Sequence, residues 1–171
     1  QGNYSIKGDF NMNYVVSTNP DGYFAGSESF STYGATNDSM RVDILLEKII
    51  LNKPIVLENI YYDLDKWNIR PDAALELNKL ITILKDNPLI VIELSSHTDS
   101  RAPDFYNMIL SDRRAKSAAD YIIKAGGIDP SRITGKGYGE SVLVNKCKNN
   151  VYCTEPEHQQ NRRTEFKVIS Q

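Results

Sequence analysis

Histidine and cysteine are scarce in this chain, with two of each among 171 residues and a single tryptophan beside them. So little imidazole and thiol argues against a metal centre, because a structural zinc site takes four such ligands. Cys147 and Cys153 stand close together in a polar, Asn-rich stretch, with only His158 nearby. That is a poor zinc pattern, and a short loop disulfide is the better reading. A disulfide in turn implies an oxidising compartment. No metal and no cofactor is expected.

An excess of charge of either sign is also missing. Twenty Lys and Arg stand against 22 Asp and Glu, and the two signs are mixed along the chain. A nucleic-acid or anionic-membrane binder needs a basic patch to neutralise phosphates, so neither class fits. A zwitterionic or neutral ligand fits better. No apolar run approaches the roughly 20 residues of a membrane span. The chain opens at Gln1 without Met or a signal peptide, and is expected to be a fragment of a mature or longer protein.

What is present is an ordinary globular mixture, 40% hydrophobic and 25% charged, enough for one good core and a small appendage. Residues 1–46 are rich in Tyr, Ser, Asn and Gly. Tyr14-Val15-Val16 and Tyr23-Phe24 flank Asn19-Pro20-Asp21-Gly22, a strong turn signal, and Val42 to Leu46 alternates weakly. A few strands are expected there, as the end of an upstream β-sandwich, with the main domain covering 47–171.

From Pro54 the pattern strengthens. Ile55 to Tyr62 reads as a strand, Pro71 opens a helix carrying Leu77, Leu80, Ile81 and Leu84, and Asn87-Pro88 ends it. Leu89 to Leu94 reads as a central strand. Ser111 is the expected N-cap of a second helix with Ala115, Ala118, Ala119 and Ile122 on its apolar stripe, stopped by Gly126-Gly127. Arg132 to Tyr138 and Arg163 to Ile169 are the last strands, the latter with Thr164, Phe166 and Val168 inward and Arg163, Glu165 and Lys167 in water. The order β-α-β-α-β-β predicts an α/β sandwich, two helices on a mixed sheet.

The chemistry concentrates between Ser95 and Ala115. Asp99 falls just past the end of the central strand, and Arg114 falls in the first turn of the second helix if Ser111 caps it. A helix N-terminus and a planar guanidinium both favour a carboxylate guest, while Asp99 favours an ammonium. One ligand group bearing both charges would satisfy the pair. A direct ion pair between Asp99 and Arg114 accounts for the same residues equally well.

These residues resemble the OmpA-like C-terminal family, which includes the peptidoglycan-associated lipoproteins. The matches are Tyr62-Asp63, Thr98-Asp99, Asn107 with Leu110-Ser111 and Arg114-Ala115, Gly137-Tyr138-Gly139-Glu140, and Asn161-Arg162-Arg163-Thr164-Glu165. They run in the family's order over about 54–169. The resemblance implies a non-catalytic domain that holds the ammonium and carboxylate of diaminopimelate, in the peptidoglycan stem peptide, on Asp99 and Arg114. It also implies a pocket lined by Asp63, Leu64, Thr98, Asn107 and Leu110 and braced by Arg163. Two departures stand out: Ala102 where the family usually carries Gly, and Ser96 before His97. Ala102 would be strained if the loop needed a left-handed residue.

Within the family, Tyr61 to Ile69 and Cys147 to Glu165 look like versions from Bacteroidetes. The nearest likeness is to wall-anchoring envelope lipoproteins of the type IX secretion apparatus. That resemblance implies a periplasmic, outer-membrane-associated domain, with peptidoglycan and other envelope or secretion-system proteins as partners. Residues 1–46 would then resemble the end of a carboxypeptidase regulatory-like domain. Catalysis by Ser95, Ser96, His97 and Asp99 is not expected, because neighbours on a strand face opposite ways. The competing function is a protein-interaction domain with a vestigial wall pocket, which an exposed apolar face on residues 1–46 would favour.

Overall fold

The computed structural model describes residues 2–36, 39–58, 60–63 and 65–171, and it divides into two compact units, 1–49 and 50–171. In the first, β1 (Asn13–Thr18) and β2 (Gly26–Ser31) pair antiparallel across the Asn19-Pro20-Asp21-Gly22 turn. Gly22 takes φ 77°, which only Gly adopts without strain. Tyr14 stacks on Phe30 at 5.4 Å between ring centroids. Val42 to Leu46 is not a strand. Ile44 to Leu46 lie against Gly26 without forming a ladder, and just beyond them the chain meets the hairpin at an isolated bridge, Tyr23 with Lys48.

The second unit holds a four-stranded sheet in the order β3-β6-β4-β5, built from β3 (Ile55–Leu57), β4 (Val91–His97), β5 (Ile133–Gly139) and β6 (Thr164–Ser170). β4 is interior, parallel to β5 and antiparallel to β6. A parallel pair needs a long crossover, and α2 (Asp104–Gly126) supplies it. With α1 (Pro71–Asp86) and α3 (Glu155–Asn161) the unit carries three helices, one more than the periodicity predicted. The missed helix α3 has only seven residues, too few to show an apolar stripe. Its readable signal was the capping box of Thr154 and Glu157.

The core forms where Leu77, Leu80 and Leu84 of α1 and Ala115, Ala118 and Ile122 of α2 cover Ile92, Leu94, Phe166 and Val168 of the sheet. Each large side chain among them contributes roughly 1.5–3 kcal/mol on burial. The alanine stripe lets α2 lie close to β5, and two glycines let it lie closer. A Cβ on Gly137 would stand 2.1 Å from the Asp112 nitrogen, and one on Gly135 2.5 Å from the Ala115 oxygen. The Gly135-Lys136-Gly137 run is therefore a packing device that seats α2 against the sheet. Arg132 donates to the carbonyls of Leu84, Asn87 and Ile90, satisfying groups that the end of α1 leaves open.

Three further expectations need correction. The first strand of this unit stops at Leu57 instead of Tyr62, because its partner β6 begins at Thr164, opposite Leu57, and offers no ladder beyond it. Helix α2 begins at Asp104, not after Ser111. Pro103 keeps a non-helical backbone with its carbonyl accepting from the Asn107 nitrogen, and Asp104 suits the first turn. Ser111 is interior, its hydroxyl donating to the Met108 carbonyl and accepting from the Gly139 nitrogen. Glu165 is not a wet residue of β6 but a buried one, facing His97 and Arg163.

Candidate functional site

A small open cleft of about 70 Å³ lies between the segment 60–62, the end of β4, the start of β6 and α2. Its lining includes Tyr61, Tyr62, His97, Arg114, Arg162 and Arg163. Arg114 now sits in the third turn of α2, so the positive helix N-terminus does not reach it. Its guanidinium is positioned by other means. Nε donates to the Lys66 carbonyl at 3.0 Å and Nη2 to the Asp63 carbonyl at 3.3 Å. The Tyr62 ring lies 4.8 Å beneath it, and the Tyr62 hydroxyl donates to the Arg114 carbonyl.

Arg114 is only 8% exposed, and no carboxylate among the described residues lies within ion-pair distance of it. Burial pulls its pKa below the ordinary arginine value. A buried cation resting on carbonyls and an aromatic face, with Asp65 attracting it only from beyond ion-pair distance, still lacks a direct partner for its charge. The neighbouring loop is clamped to the same helix, with Arg113 over Trp67 and the Tyr106 hydroxyl donating to Asp65 at 2.5 Å. Burial also pushes the Tyr62 hydroxyl up to about 12, so it stays a neutral donor.

Asp99 is the opposite case. Its Oδ2 accepts from Arg101 Nε at 3.1 Å, Arg101 Nη2 at 2.7 Å and Arg162 Nη1 at 2.6 Å. Its Oδ1 accepts only from the Arg101 backbone nitrogen, at 3.2 Å. Both arginines also reach Glu155, which closes a ring of alternating charge. Burial disfavours the Asp99 charge, but the hydrogen bonds from Arg101 and Arg162 outweigh it and hold the carboxyl below its usual range. Asp99 and Arg114 do not pair with each other. Asp99 is absent from the cleft lining, and its influence arrives there through Arg162.

The remaining expected residues divide clearly. Of Asp63, Thr98, Asn107, Leu110 and Arg163, only Arg163 lines the cleft, and Leu64 lies outside the described residues. Asp63 contributes a carbonyl to Arg114 and its carboxylate to Lys66 and Arg70. Asn107 is buried, with Nδ2 donating to the carbonyls of Asp99 and Ala102 and to Glu140, so it shapes the Asp99 loop. Thr98 is buried, its nitrogen donating to the Gly139 carbonyl, and Leu110 is half-buried on α2. Ala102 needs no left-handed backbone, so its substitution for Gly costs no strain.

Arg163 pairs with Glu165 at 2.6 Å and leaves Asp99 to Arg162, whose role the motif alone did not separate from that of its neighbour. Adjacent positions entering a strand face opposite ways, so only one of the two can reach Asp99. Arg101 and Glu155 were likewise missed. His97 is buried, stacks on Tyr138, and faces Glu165 at 3.5 Å, too far for a full hydrogen bond. The nearby His97, followed by Arg163, pulls the Glu165 carboxyl down to about 2 against its burial. Ser95 donates to Glu93, and neither ring nitrogen of His97 has a hydrogen-bond partner, so no nucleophile–base pair forms among the described residues.

Cys147 and Cys153 are joined in a disulfide, with Cα atoms 5.8 Å apart. Among the described residues, the one cluster with metal-ligand spacing is Cys147, Cys153 and Glu157, and its two sulfurs are taken by that bond. No helix there is long and apolar enough to cross a membrane.

A model of the OmpA family matches residues 61–155, more than half of the chain. Outer membrane porin F of Pseudomonas fluorescens is 37% identical over 113 residues, which are 66% of this chain and 33% of that protein. The chain thus spans about a third of that relative's length. Among solved structures, the peptidoglycan-associated lipoprotein of Burkholderia pseudomallei superposes with a TM-score of 0.55 at 22% identity, over 64% of this chain and 87% of that one. The cell wall anchor of the type VI secretion system of Pseudomonas aeruginosa gives 0.55 at 22% identity, over 69% and 80%. At that identity the two structures bear on the fold alone, and both share it. OmpA-like domains bind peptidoglycan and anchor envelope complexes, and the family's members are structural or anchoring proteins, not enzymes.

Proposed function

Since the chain belongs to the OmpA family, we propose that residues 50–171 grip the diaminopimelate side chain of the peptidoglycan stem peptide, with its carboxylate on Arg114 and its ammonium on Asp99. The observation that carries this reading is that the buried charge of Arg114 has no carboxylate among the described residues within ion-pair distance. A ligand carboxylate entering the cleft would meet a planar donor already oriented by Tyr62 and two carbonyls, at little cost in ordering. The ammonium would take Asp99 Oδ1, the oxygen that no side chain claims.

Two charge-assisted contacts, each worth roughly 1.5–3 kcal/mol, make a modest single site. Repetition of the ligand along the wall turns that into firm anchoring of whatever the domain is tethered to. We place the domain in the periplasm, associated with the outer membrane, where the Cys147–Cys153 bond persists. The residue patterns at 61–69 and 147–165 support a larger assembly of the type IX secretion kind, with residues 1–46 as the last strands of a preceding β-sandwich.

Calorimetry tests the reading: a diaminopimelate stem peptide is compared with the same peptide carrying lysine, which keeps the ammonium and lacks the carboxylate. Heat from the first alone is expected. Equal heats remove Arg114 from the carboxylate role, and silence from both removes wall binding. A second reading, docking of a protein partner, is favoured by the apolar exposure of the first unit, where Tyr4, Ile6, Val15 and Leu45 are each at least 73% exposed. A stable complex or oligomer in native mass spectrometry without wall ligand would decide for it.

A further inference from the structure

The Asp99 end of the site contains a residue whose position suggests more than a surface ion pair. Glu155 stands at the first position of α3, and its side chain is 62% exposed. It meets Arg101 Nη1 through Oε2 at 2.7 Å and Arg162 Nη2 through Oε1 at 2.6 Å. The same two arginines also donate to Asp99, at 2.7 and 2.6 Å, and Arg162 Nη2 donates to Gln159 as well. Each guanidinium is thus divided between two carboxylates, and each carboxylate between two guanidiniums. The ring of four is neutral.

Neutrality matters because of what is to bind. An ammonium arriving at Asp99 meets a carboxylate already facing two cations. With Glu155 in place, both arginines keep a second acid to rest on while Asp99 turns part of its charge to the guest. Without Glu155, two guanidiniums oppose one carboxylate, the subsite carries a net positive charge, and a cation is repelled while an anion is welcomed. Glu155 is also held where it must be. The Thr154–Glu157 capping box starts its helix, and Cys153 ties the arm to Cys147, whose carbonyl accepts from Ser100, the residue beside Asp99.

We infer that Glu155 is a positioning residue that frees Asp99 for a cation, and so sets the preference of the site for a zwitterionic over a purely anionic side chain. The inference rests on the wall-binding reading above. Its signature is a change of opposite sign for two ligands, which a merely structural role does not produce.

The experiment is calorimetry of the intact chain and its Glu155→Gln variant with two stem peptides, one carrying diaminopimelate and one whose side chain keeps the distal carboxylate but lacks the amino group. The variant is expected to bind the first about two- to fivefold more weakly, the scale of an exposed ion pair, and the second more tightly. Glu155→Asp should recover part of the wild-type preference, and added salt should narrow the difference, because the arm is exposed. Equal weakening for both peptides would overturn the inference as a structural effect, and so would unchanged binding of both. If the wild-type chain binds neither peptide, the wall-binding reading falls with it; if it binds and the variant matches it, only the role of Glu155 falls.

Discussion

The two ends of the site handle buried charge in opposite ways. Asp99 is 7% exposed and has two arginines on it, whereas Arg114 is 8% exposed and is in direct contact with carbonyls and a tyrosine ring, with no carboxylate among the described residues within ion-pair distance. Equal burial with unequal compensation separates two jobs. A charge with internal partners is satisfied in the free protein, so a guest at Asp99 must share it with Arg101 and Arg162. A charge without one keeps its counter-charge open for a ligand, and the fold bears the cost of burying it. Glu165, between His97 and Arg163, belongs with the first kind.

The most severe way to break this comparison is to remove the surface on which both ends are mounted. Gly137→Ala places a methyl group 2.1 Å from the Asp112 nitrogen, and backbone cannot swing aside as a side chain can. We expect a loss of about 3 kcal/mol or more in denaturant unfolding, with both ends of the site lost together. A Gly137→Ala variant as stable as the wild type would mean that α2 does not need this close seat.

Acid titration sharpens the compensated side. The Glu165 carboxyl sits at about 2 in the folded chain, against 4.5 ordinarily. Its contribution is therefore complete above the unfolded value, and is lost as the pH falls from about 4.5 towards 2. The amount at stake is on the order of 3 kcal/mol. Unfolding midpoints measured from pH 7 down to 2 should fall less steeply for Glu165→Gln than for the wild type. Parallel curves would show that another carboxyl carries the acid sensitivity.

Arg114→Lys tests the uncompensated side. It keeps the charge but removes the planar fork, so the Asp63 and Lys66 carbonyls and a ligand carboxylate cannot all be served at once. The diaminopimelate peptide should bind roughly ten- to a hundredfold more weakly by calorimetry, the equivalent of one charge-assisted hydrogen bond. Full affinity in the lysine variant would reduce Arg114 to a point charge. The smallest expected effect is that of Glu155→Gln, because its ion pairs lie in water.

Much of this was readable from one dimension. Pro71 and Gly127 stand at helix ends where proline and glycine belong, and Gly127 takes the left-handed φ of 64° that a C-terminal cap asks for. The apolar spacing of Leu77 to Leu84 and of Ala115 to Ile122 placed both core faces correctly. The mixed α/β class followed from the order of those segments. The start of α2 was misplaced because Ser111 has the chemistry of a cap, while its hydroxyl is in fact used inside the helix by the Gly139 nitrogen, 28 positions away.

By itself, then, the sequence determined the two long helices with their apolar faces, the chain order of the sheet strands, and which charged residues merit attention, since the first two depend on periods of 3.6 and 2 residues along the chain. The partnerships of those charges were decided only by the tertiary structure. Arg162 and Arg163 are neighbours of one residue type, yet one meets Asp99 and the other Glu165. Arg101 and Arg162 lie 61 positions apart and share both their acids. An ion pair forms within about 4 Å and fades beyond it, and distances of that size between remote segments exist only once the sheet has brought them together.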